Sequence, residues 1–573
     1  MTNQQIAKIF REIAQILSVK DENPFRIRAY EKAAQNIENL TQDLKELAKT
    51  GKLTSIPGIG QDLALKIKEI LETGTLKYYE ELKKSTPPGL LKILEIPSVG
   101  PKTAKLLYEK LNIDSIEKLE EFAKSGKLYG LPGIREKTIE NILKGIELIK
   151  KGKERMPLYK ALEIASSFID YLKSFSIVKK ISEAGSVRRR KDTIKDIDIL
   201  VVTSDPLKVS EEFVNFKKVK EILAKGTTKS SVLTDEDIQV DLRVVDPECF
   251  GSALMYFTGS KAFNIKFRQL ALKSGYKVNE YGVFKGEKRV CGATEEEIFD
   301  FFGMEYILPE LREDQGEIEL ALNKSLPKVI SFEDVKGDLH VHSKYSDGGY
   351  TIREIADFCK KLGFEYVAIC DHSQSLKVAG GVSIENLLKK IEEVKKINSE
   401  YKDFKVLCGA EVDILNDGSL DYPQEILEKL DLVIAAIHTG FKQSKSQLTQ
   451  RIIKACKNKY VDIIAHPTGR LWGQREGYEI DLEEIIKVCL QTQTALEINC
   501  FPQRLDLNDI NAKKAVESGV LLSLGTDAHI LDQIHFLELG VSVARRAWAT
   551  KENVINCWSW EKIKEWRQKR IKS

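Results

Sequence analysis

Between residues 338 and 526 the chain passes through seven short apolar runs, at about 338–342, 366–371, 406–412, 432–438, 461–466, 495–499 and 520–526. Amphipathic helical stretches separate them. Strands that alternate with helices imply a parallel sheet, because parallel neighbours need a crossover connection. Seven such units predict a (β/α) barrel. All seven histidines of the chain occur from His340 onward, and six of them end or closely follow these runs. They are His340 and His342 in DLHVHS, His372 in VAICDHS, His438 in LVIAAIHTG, His466 in VDIIAHP and His529 in LLSLGTDAHI; Glu411 ends a further run, VLCGAEVD. Barrels place their chemistry at the C-terminal ends of their strands. Neutral imidazole with carboxylate is the ligand set of Zn, Mn and Fe. The pattern therefore predicts a multi-metal site on one rim.

His340 and His342 alternate on a strand, so both side chains face the same way. Asp347 follows on the next loop, His372, Glu411, His438 and His466 come from four further strand ends, and Asp527 shares a fifth with His529. Nine ligands suit three metal ions with open positions for water, an arrangement that activates water for attack on phosphorus. Histidines scattered through a core would not recur at strand ends. Asn499 and Arg470 lie by the same rim, where Arg470 either holds a phosphate or caps a loop. His535 fits no ligand position and reads as an ordinary surface or core residue.

A chain of 573 residues is too long for one core. Hydrophobic and charged contents of 42% and 31% describe a globular protein, and a net charge of +3 makes any basic surface a local one. The nine cysteines are scattered without a C-x-x-C pair and read as reduced, mostly buried thiols. No apolar run approaches the ~20 residues of a membrane span. At the N-terminus Thr2 and Gln5 fit a capping box, and Ile6, Ile9, Phe10, Ile13, Ile16 and Leu17 make one helical face rather than a signal peptide. A cytoplasmic location is expected.

Residues 1–150 read as helices throughout. A short pattern recurs there at 53–70, 90–111 and 128–146: an apolar residue, a tight hairpin and a helix start. The first copy has Gly58 and Gly60, the second keeps Gly100 with Ser98, and the third keeps Gly133 with Arg135. A Gly-rich turn at a helix N-terminus offers backbone N–H groups to a phosphate, positioning a nucleic-acid backbone without reading bases. One such turn is as well explained by a tight helical hairpin; three in series favour non-specific DNA binding. Arg135 departs from the pattern and leaves the third turn open to a structural role.

The second constellation is GSVRRRKDTIKDIDILV (185–201), preceded by a helix over 157–173. Asp196 and Asp198 lie two apart on a strand, so both carboxylates share a face, and Asp241 in QVDLRVV can join them from a neighbouring strand. Three carboxylates so placed can hold two Mg²⁺ ions about 3.5–4 Å apart and clamp a phosphoryl transfer. Gly185 and Ser186 form a turn where a triphosphate could approach, with Arg188, Arg189 and Arg190 as cations nearby. Helical material around 262–274 follows, residues 318–336 read as a linker or outer helix punctuated by Pro327, and the tail after 540 reads as helical, with Trp548, Trp558, Trp560 and Trp566.

GSVRRR, DIDILV, VDLRVV, MYFTGSKAFNIKFRQLA and VNEYGVF, in this order and with the hairpins before them, resemble the family X DNA polymerases over about 1–317. The hairpins resemble helix–hairpin–helix motifs. The motifs H-x-H, D-H, G-A-E-V-D, I-H, A-H-P and T-D-A-H resemble the PHP (polymerase and histidinol phosphatase) domain over 337–573. The resemblance implies a multidomain α+β and α/β chain. Its parts are a helix–hairpin–helix region in two pieces (1–82, with possible lyase function, and 83–150), a nucleotidyltransferase palm (151–246), a nucleotide-selecting thumb (247–317), a linker (318–336) and a (β/α)7-type PHP barrel (337–573). It implies that Asp196, Asp198 and Asp241 are catalytic and bind two Mg²⁺. Gly185, Ser186 and Arg189 match residues at the incoming triphosphate. Tyr256 and Phe257 match the sugar-sensing pair, with Gly259 in the same turn, and Asn264 and Arg268 match residues on the minor-groove side of the nascent pair. Lys261 departs from the Asp that packs over the base in the best-known vertebrate member. Lys66 matches a lysine that forms a Schiff base with an abasic sugar in some members; on its own it reads as a solvated helix lysine. Tyr30 fits the surrounding pattern, whereas Arg26 replaces a lysine.

Members of this architecture are repair polymerases. The resemblance implies a monomer that fills gaps in base-excision repair on gapped or primed duplex DNA with dNTPs. It also implies a PHP 3′–5′ exonuclease using Mn²⁺, Zn²⁺ or Fe, sometimes with cleavage at abasic sites. The alternatives are a small-molecule phosphoesterase of histidinol-phosphatase type tethered by the N-terminal half, and a non-enzymatic DNA-end scaffold. The complete ligand sets in both halves count against each.

Overall fold

The computed structural model describes residues 3–38, 44–56, 58–87, 89–94, 96, 99–150, 155–472 and 477–572. The chain divides into two compact units, Met1–Met156 with Leu233–Gln239, and Pro157–Val232 with Val240–Ser573.

The first unit is helical, as its 3.6-residue periodicity predicts. Helix Asn3–Val19 buries Ile6, Phe10, Ile13, Ile16 and Leu17 against Tyr30, Ala33 and Ile67. The Thr2–Gln5 capping box falls outside the described residues, as does Ser98. A second apolar cluster gathers Leu90, Ile93, Leu107, Leu119 and Ile142. Gly58 and Gly133 adopt φ of 77° and 79°, the left-handed conformation that makes each hairpin turn. Gly60 and Gly100 instead cap helices Gln61–Thr73 and Pro101–Leu111 in extended backbone. Their φ of −84° is open to any residue, so an arginine at the matching position, Arg135, keeps the third turn's geometry.

In the second unit, helix Leu158–Lys173 leads into a five-stranded sheet. Its order is Val178–Glu183, Asp196–Thr203, Gln239–Val244, Lys229–Thr234 and Val219–Ala224. The strands carrying Asp198 and Asp241 are therefore neighbours. Helices Phe250–Thr258 and Lys261–Lys273 follow, then a three-stranded antiparallel sheet and helix Glu295–Phe301. The segment read as a linker or outer helix opens with a packed helix. Helix Glu317–Leu322 puts Ile318 and Ala321 into the same core as Phe263, Phe267 and Phe299, and Val329 bridges to Thr550.

The barrel has the seven expected strands in sequential order, all parallel: Gly337–Val341, Tyr366–Ile369, Lys405–Asp413, Leu432–Ala436, Ile463–Ile464, Ala495–Asn499 and Leu522–Gly525. First and last strands meet at their C-terminal ends, where Asp527 N–H donates to the His340 carbonyl at 2.8 Å and His342 N–H to that of Ala528 at 2.9 Å. At the other end Asn556 closes the ring, accepting from Leu524 N–H at 2.7 Å and donating to the carbonyls of Gly337 and Leu524 at 2.8 Å. The tail is only in part the helix predicted: helix Leu537–Arg546, a connection of turns and a short 3-10 helix Ile555–Cys557 with Trp548 and Trp558, and helix Trp560–Lys572, the connection running beside the last strand. All nine cysteines are free and buried, and no helix among the described residues is long and apolar enough to cross a membrane.

The last helix is stapled to the barrel by charge. Asp462, fully buried, accepts from Arg567 Nε at 2.9 Å, Arg570 Nη1 at 2.8 Å and Val433 N–H at 2.9 Å. Removing one member of a buried ion pair strands the other, which costs about 3–5 kcal/mol. Asp462→Ala is accordingly expected to lower unfolding free energy by about that much in denaturant titration; a loss under ~1 kcal/mol would show that the staple carries no weight.

Candidate metal centres on the palm and the barrel rim

On the barrel rim the structure brings all nine predicted ligands together. Glu411, fully buried at the end of the third strand, is the hub. Its Oε1 lies 2.8 Å from His466 Nε2 and 3.2 Å from His438 Nε2, and its Oε2 lies 2.7 Å from His372 Nδ1, 3.6 Å from His340 Nε2 and 3.7 Å from His342 Nε2. His342 Nε2 also lies 3.0 Å from Asp527 Oδ1, and His529 Nε2 lies 3.3 Å from Asp347 Oδ1. Three groups have ligand atoms all within 4.8 Å of one another: His342, Asp347, His372 and His529; His340, His342 and Asp527; and His372, Glu411 and His438.

The donor set fits metal ions. His342 Nδ1, His372 Nδ1, His466 Nδ1 and Glu411 Oε2 are buried without hydrogen-bond partners, an arrangement that is costly unless a cation engages such a cluster. His372 Nδ1 and Glu411 Oε2 meet at 2.7 Å without the alignment of a hydrogen bond. Burial pushes the His342 imidazole down to about 4, reinforced by His372, and so keeps it neutral. At His438 burial is outweighed by Glu411 and Asp413, which raise it to about 10, and at His529 by Asp347 and Asp527, which raise it to about 9. Burial would raise Glu411 too, but His438, His372 and His340 hold it well below the usual carboxylate range. Protons held on such imidazoles are those a divalent ion displaces on binding.

Supporting groups behind the ligands were not singled out from the sequence. Asp413 Oδ1 lies 2.5 Å from His438 Nδ1, and Glu497 Oε1 lies 2.7 Å from His340 Nδ1. Both carboxylates fix which ring nitrogen faces the centre. Their signal was strand alternation: Asp413 is two residues beyond Glu411, and Glu497 two before Asn499. Asn499 Nδ2 donates at 3.2 Å to both Glu497 and Asp527. Behind the second strand, fully buried Lys390 pairs with Asp371 at 2.6 Å, and Asp371 accepts from Ser343 N–H at 2.7 Å, bracing the loop after His342. Arg470 departs from the phosphate-holding option: its guanidinium donates to the carbonyls of Arg504 and Leu505 at 2.5 and 2.6 Å and to Asp192 at 3.0 Å, so it caps a loop. His535 lies outside the cluster, with its ring 5.9 Å from that of Phe358.

On the palm, Asp196 opens its strand and Asp198 follows on the same face. Burial first, then Asp196 and Asp241, push the Asp198 carboxyl up to about 7. Mutually repelling carboxylates of this kind fit divalent cations. Asp241 pairs with Lys229 at 2.9 Å. Gly185, at φ 62°, starts the one-turn helix Gly185–Arg188 directly against Asp198; a Cβ there would come within 2.6 Å of Asp198 Oδ2. Ser186 is the second residue of that turn.

The three arginines are not loose cations as their sequence suggests. Arg188 forks onto Glu295 at 2.9 and 2.6 Å, Arg190 pairs with Glu183 at 2.7 Å, and Arg189 pairs with Glu313 at 3.1 Å while donating to the Thr258 carbonyl. Buried Glu295 and Glu313 from the following segment claim Arg188 and Arg189, and half-buried Glu183 just upstream claims Arg190. Tyr256 and Phe257 meet edge to face at 5.1 Å, with the Arg243 guanidinium 4.1 Å over Phe257. Asn264 Nδ2 donates to the Tyr256 carbonyl at 2.7 Å, and Arg268 Nε to the Asn264 carbonyl at 3.2 Å. Gly259 has φ 70° beside Arg189, and Lys261 is the exposed first residue of its helix. In the helical unit Lys66 is not the solvated residue read from its sequence: it pairs with Asp62, its side chain is 15% exposed, and its Nζ lies 6.0 and 5.6 Å from the rings of Tyr30 and Tyr78.

Comparison with known proteins matches four family descriptions along the chain: a helix-hairpin-helix domain at residues 1–76, a SAM-like helix-hairpin-helix tandem at 90–147, the DNA polymerase beta thumb at 253–313 and the PHP domain at 338–500. The chain is 40% identical over 560 residues to the DNA polymerase/3'-5' exonuclease PolX of Bacillus subtilis (strain 168), covering 97% of each chain. It is 32% identical to a probable phosphatase of Thermoanaerobacter sp. (strain X514), over 38% of this chain and 89% of that one. A probable phosphatase of Caldanaerobacter subterraneus is 30% identical, over 41% of this chain and 92% of its own.

Carboxylates that orient a metal-ligating histidine typically contribute about 10–100-fold to metal affinity. Asp413→Asn is expected to weaken Mn²⁺ or Zn²⁺ binding at the barrel by about that factor in a competition titration against a chromogenic chelator. Unchanged affinity would remove Asp413 from the site.

Proposed function

Because the chain belongs to the family X DNA polymerases that carry a C-terminal PHP domain, we propose that it is a DNA-directed DNA polymerase with an attached 3′–5′ exonuclease, filling short gaps in base-excision repair. The observation that carries this reading is the pair of separate, complete ligand sets, three carboxylates on adjacent palm strands and nine imidazole and carboxylate groups on the barrel rim. A phosphoesterase merely tethered by its N-terminal half would need only the second, and the probable phosphatases match under half of the chain.

In the palm, Asp196, Asp198 and Asp241 would hold two Mg²⁺ ions, which supply charge stabilisation for an in-line phosphoryl transfer. Gly185 lets its turn pack directly against Asp198, and the N–H groups at the start of that turn are assigned to the triphosphate. Ser186 and Arg189 are assigned to the phosphates, Tyr256 and Phe257 to the sugar, and Asn264 and Arg268 to the minor-groove edge of the new pair. In the barrel, the nine ligands would hold Mn²⁺ or Zn²⁺, three ions by the grouping of their donors, which supply an activated water and charge stabilisation at phosphorus. Asp413 and Glu497 orient His438 and His340 for that task. Cleavage at an abasic site breaks the same kind of bond and is assigned to the same rim. The hairpin turns at Gly58, Gly60, Gly100 and Gly133 have open space where a side chain would stand at the last three, so a DNA backbone can approach them closely. Lys66, between Tyr30 and Tyr78, is assigned to the abasic sugar. The substrates are gapped or primed duplex DNA and dNTPs, acted on by a cytoplasmic monomer.

On a gapped, end-labelled duplex with dNTPs and Mg²⁺ or Mn²⁺, Asp198→Ala is expected to abolish primer extension and leave 3′ shortening intact, and His342→Ala to do the reverse. Extension at the parent rate by Asp198→Ala would refute the polymerase assignment. Lys66→Ala is expected to lose borohydride trapping on an abasic 5′ end; trapping at the parent level would dismiss the lyase role.

A further inference from the structure

Arg189, assigned above to the incoming triphosphate, is held at two points by one residue of the barrel. Its Nε donates to Glu313 Oε1 at 3.1 Å, and the same oxygen takes Arg546 Nη2 at 3.1 Å. Arg546 Nη1 donates to the main-chain carbonyl of Arg189 at 2.7 Å and to that of Glu310 at 3.3 Å. Arg546 ends the barrel helix Leu537–Arg546 and is anchored by Asp509, the first residue of helix Asp509–Glu517, at 2.8 Å from Nε and 2.7 Å from Nη2. Lys191 stands 3.7 Å from Asp509 and 4.0 Å from Glu313. Arg546 is 6% exposed and Glu313 also 6%.

A guanidinium is a rigid planar fork, so it fixes its acceptors relative to one another. Here those acceptors are the backbone of Arg189 and the carboxylate that pairs with the Arg189 side chain. Burial alone would raise the Glu313 carboxyl, yet Arg189, Lys191 and Arg546 together hold it at about 2. Glu313 is thus a buried anion that must stay paired. If Arg189 turned toward a triphosphate with no second partner present, that anion would be stranded. With Arg546 on the same oxygen it is not.

We propose that Arg546 of the barrel is a positioning residue of the polymerase nucleotide site: it holds the Arg189 backbone in place and retains Glu313 when the Arg189 side chain turns to the incoming nucleotide. The inference rests on the assignment of Arg189 to the triphosphate. It makes the PHP domain part of the synthetic site without any barrel residue touching the nucleotide.

Single-nucleotide gap filling by the full chain tests it, with KM for dNTP and kcat measured for the parent, Arg546→Ala, Arg546→Lys, Arg189→Ala and the Arg189→Ala/Arg546→Ala double variant. Exonuclease rate on a labelled single strand and thermal midpoint are read alongside. For Arg546→Ala we expect KM for dNTP to rise about tenfold with kcat nearly unchanged, the pattern of lost substrate binding. Exonuclease should remain at the parent rate, because Arg546 touches no barrel ligand. Arg546→Lys restores the charge but not the fork, so an intermediate KM is expected. The double variant should be less than additive, because the part of the Arg546 effect that runs through Glu313 is lost with the Arg189 side chain. A parent-like KM for Arg546→Ala beside a raised KM for Arg189→Ala overturns the inference alone. Fully additive effects, or exonuclease falling in step with synthesis, overturn it too. A parent-like KM for Arg189→Ala overturns the assignment beneath it and the inference with it. Should Arg546→Ala melt below the assay temperature, Arg546→Lys and its double variant with Arg189→Ala carry the same comparison.

Discussion

The barrel depends on one buried carboxylate. Glu411 has no exposure to water and stands within 3.7 Å of five imidazoles. A carboxylate so placed is costly to bury unless cations surround it. Parallel strands in a closed ring all end on one rim, so residues far apart in sequence converge there without any loop reaching across. The third strand delivers Glu411, its neighbours deliver His372 and His438, and the closing bonds between first and last strands set His340 and His342 against Asp527. Burial then decides how each group behaves. It keeps His342 neutral, while the carboxylates around His438 and His529 overcome it.

The palm meets the opposite problem. Its candidate site has carboxylates and no imidazole, and Arg243 and Lys229 only partly offset their repulsion. Asp198 is pushed up to about 7, and Asp241 is drawn to Lys229. The turn at Gly185 packs so closely on Asp198 that no side chain fits between them. One chain thus gathers negative charge in two ways, carboxylates alone on a sheet face and a mixed imidazole and carboxylate set on a barrel rim.

Much of this was legible in the sequence because it is written in short periods. The seven runs matched the seven barrel strands, and two-residue alternation put His340 with His342 and Asp196 with Asp198. The same alternation pointed to Asp413 and Glu497, but one sits just past and the other inside a run that reads as buried strand, where a carboxylate draws attention only once a ligand stands in front of it. Partners at long range left no such trace. The charge of Arg188 and Arg189 was plain, yet their acceptors Glu295 and Glu313 lie more than 100 positions away, so two apparent free cations proved to be committed ones. Of the two readings open for Arg470, the loop contacts match the cap. At 318–336 the choice between linker and outer helix stayed open, because Ile318 and Ala321, spaced three apart, are too few to show a helical period.

The junction between the palm–thumb region and the barrel is held by groups that are poor at supplying stability. Arg546, Glu313 and Asp509 are largely buried, and Arg470 reaches Asp192 across the same boundary. Desolvation offsets most of what such pairs gain, so an apolar surface would hold the parts together at least as well. What ion pairs supply instead is direction: each has a narrow geometry, and a network of them admits few relative placements of its parts. The loop they grip runs from Arg189 to Asp192, between the Gly185 turn and Asp196. A loop gripped at that position holds the Arg189 backbone beside the Gly185 turn, and the barrel residues Asp509 and Arg546 supply that grip.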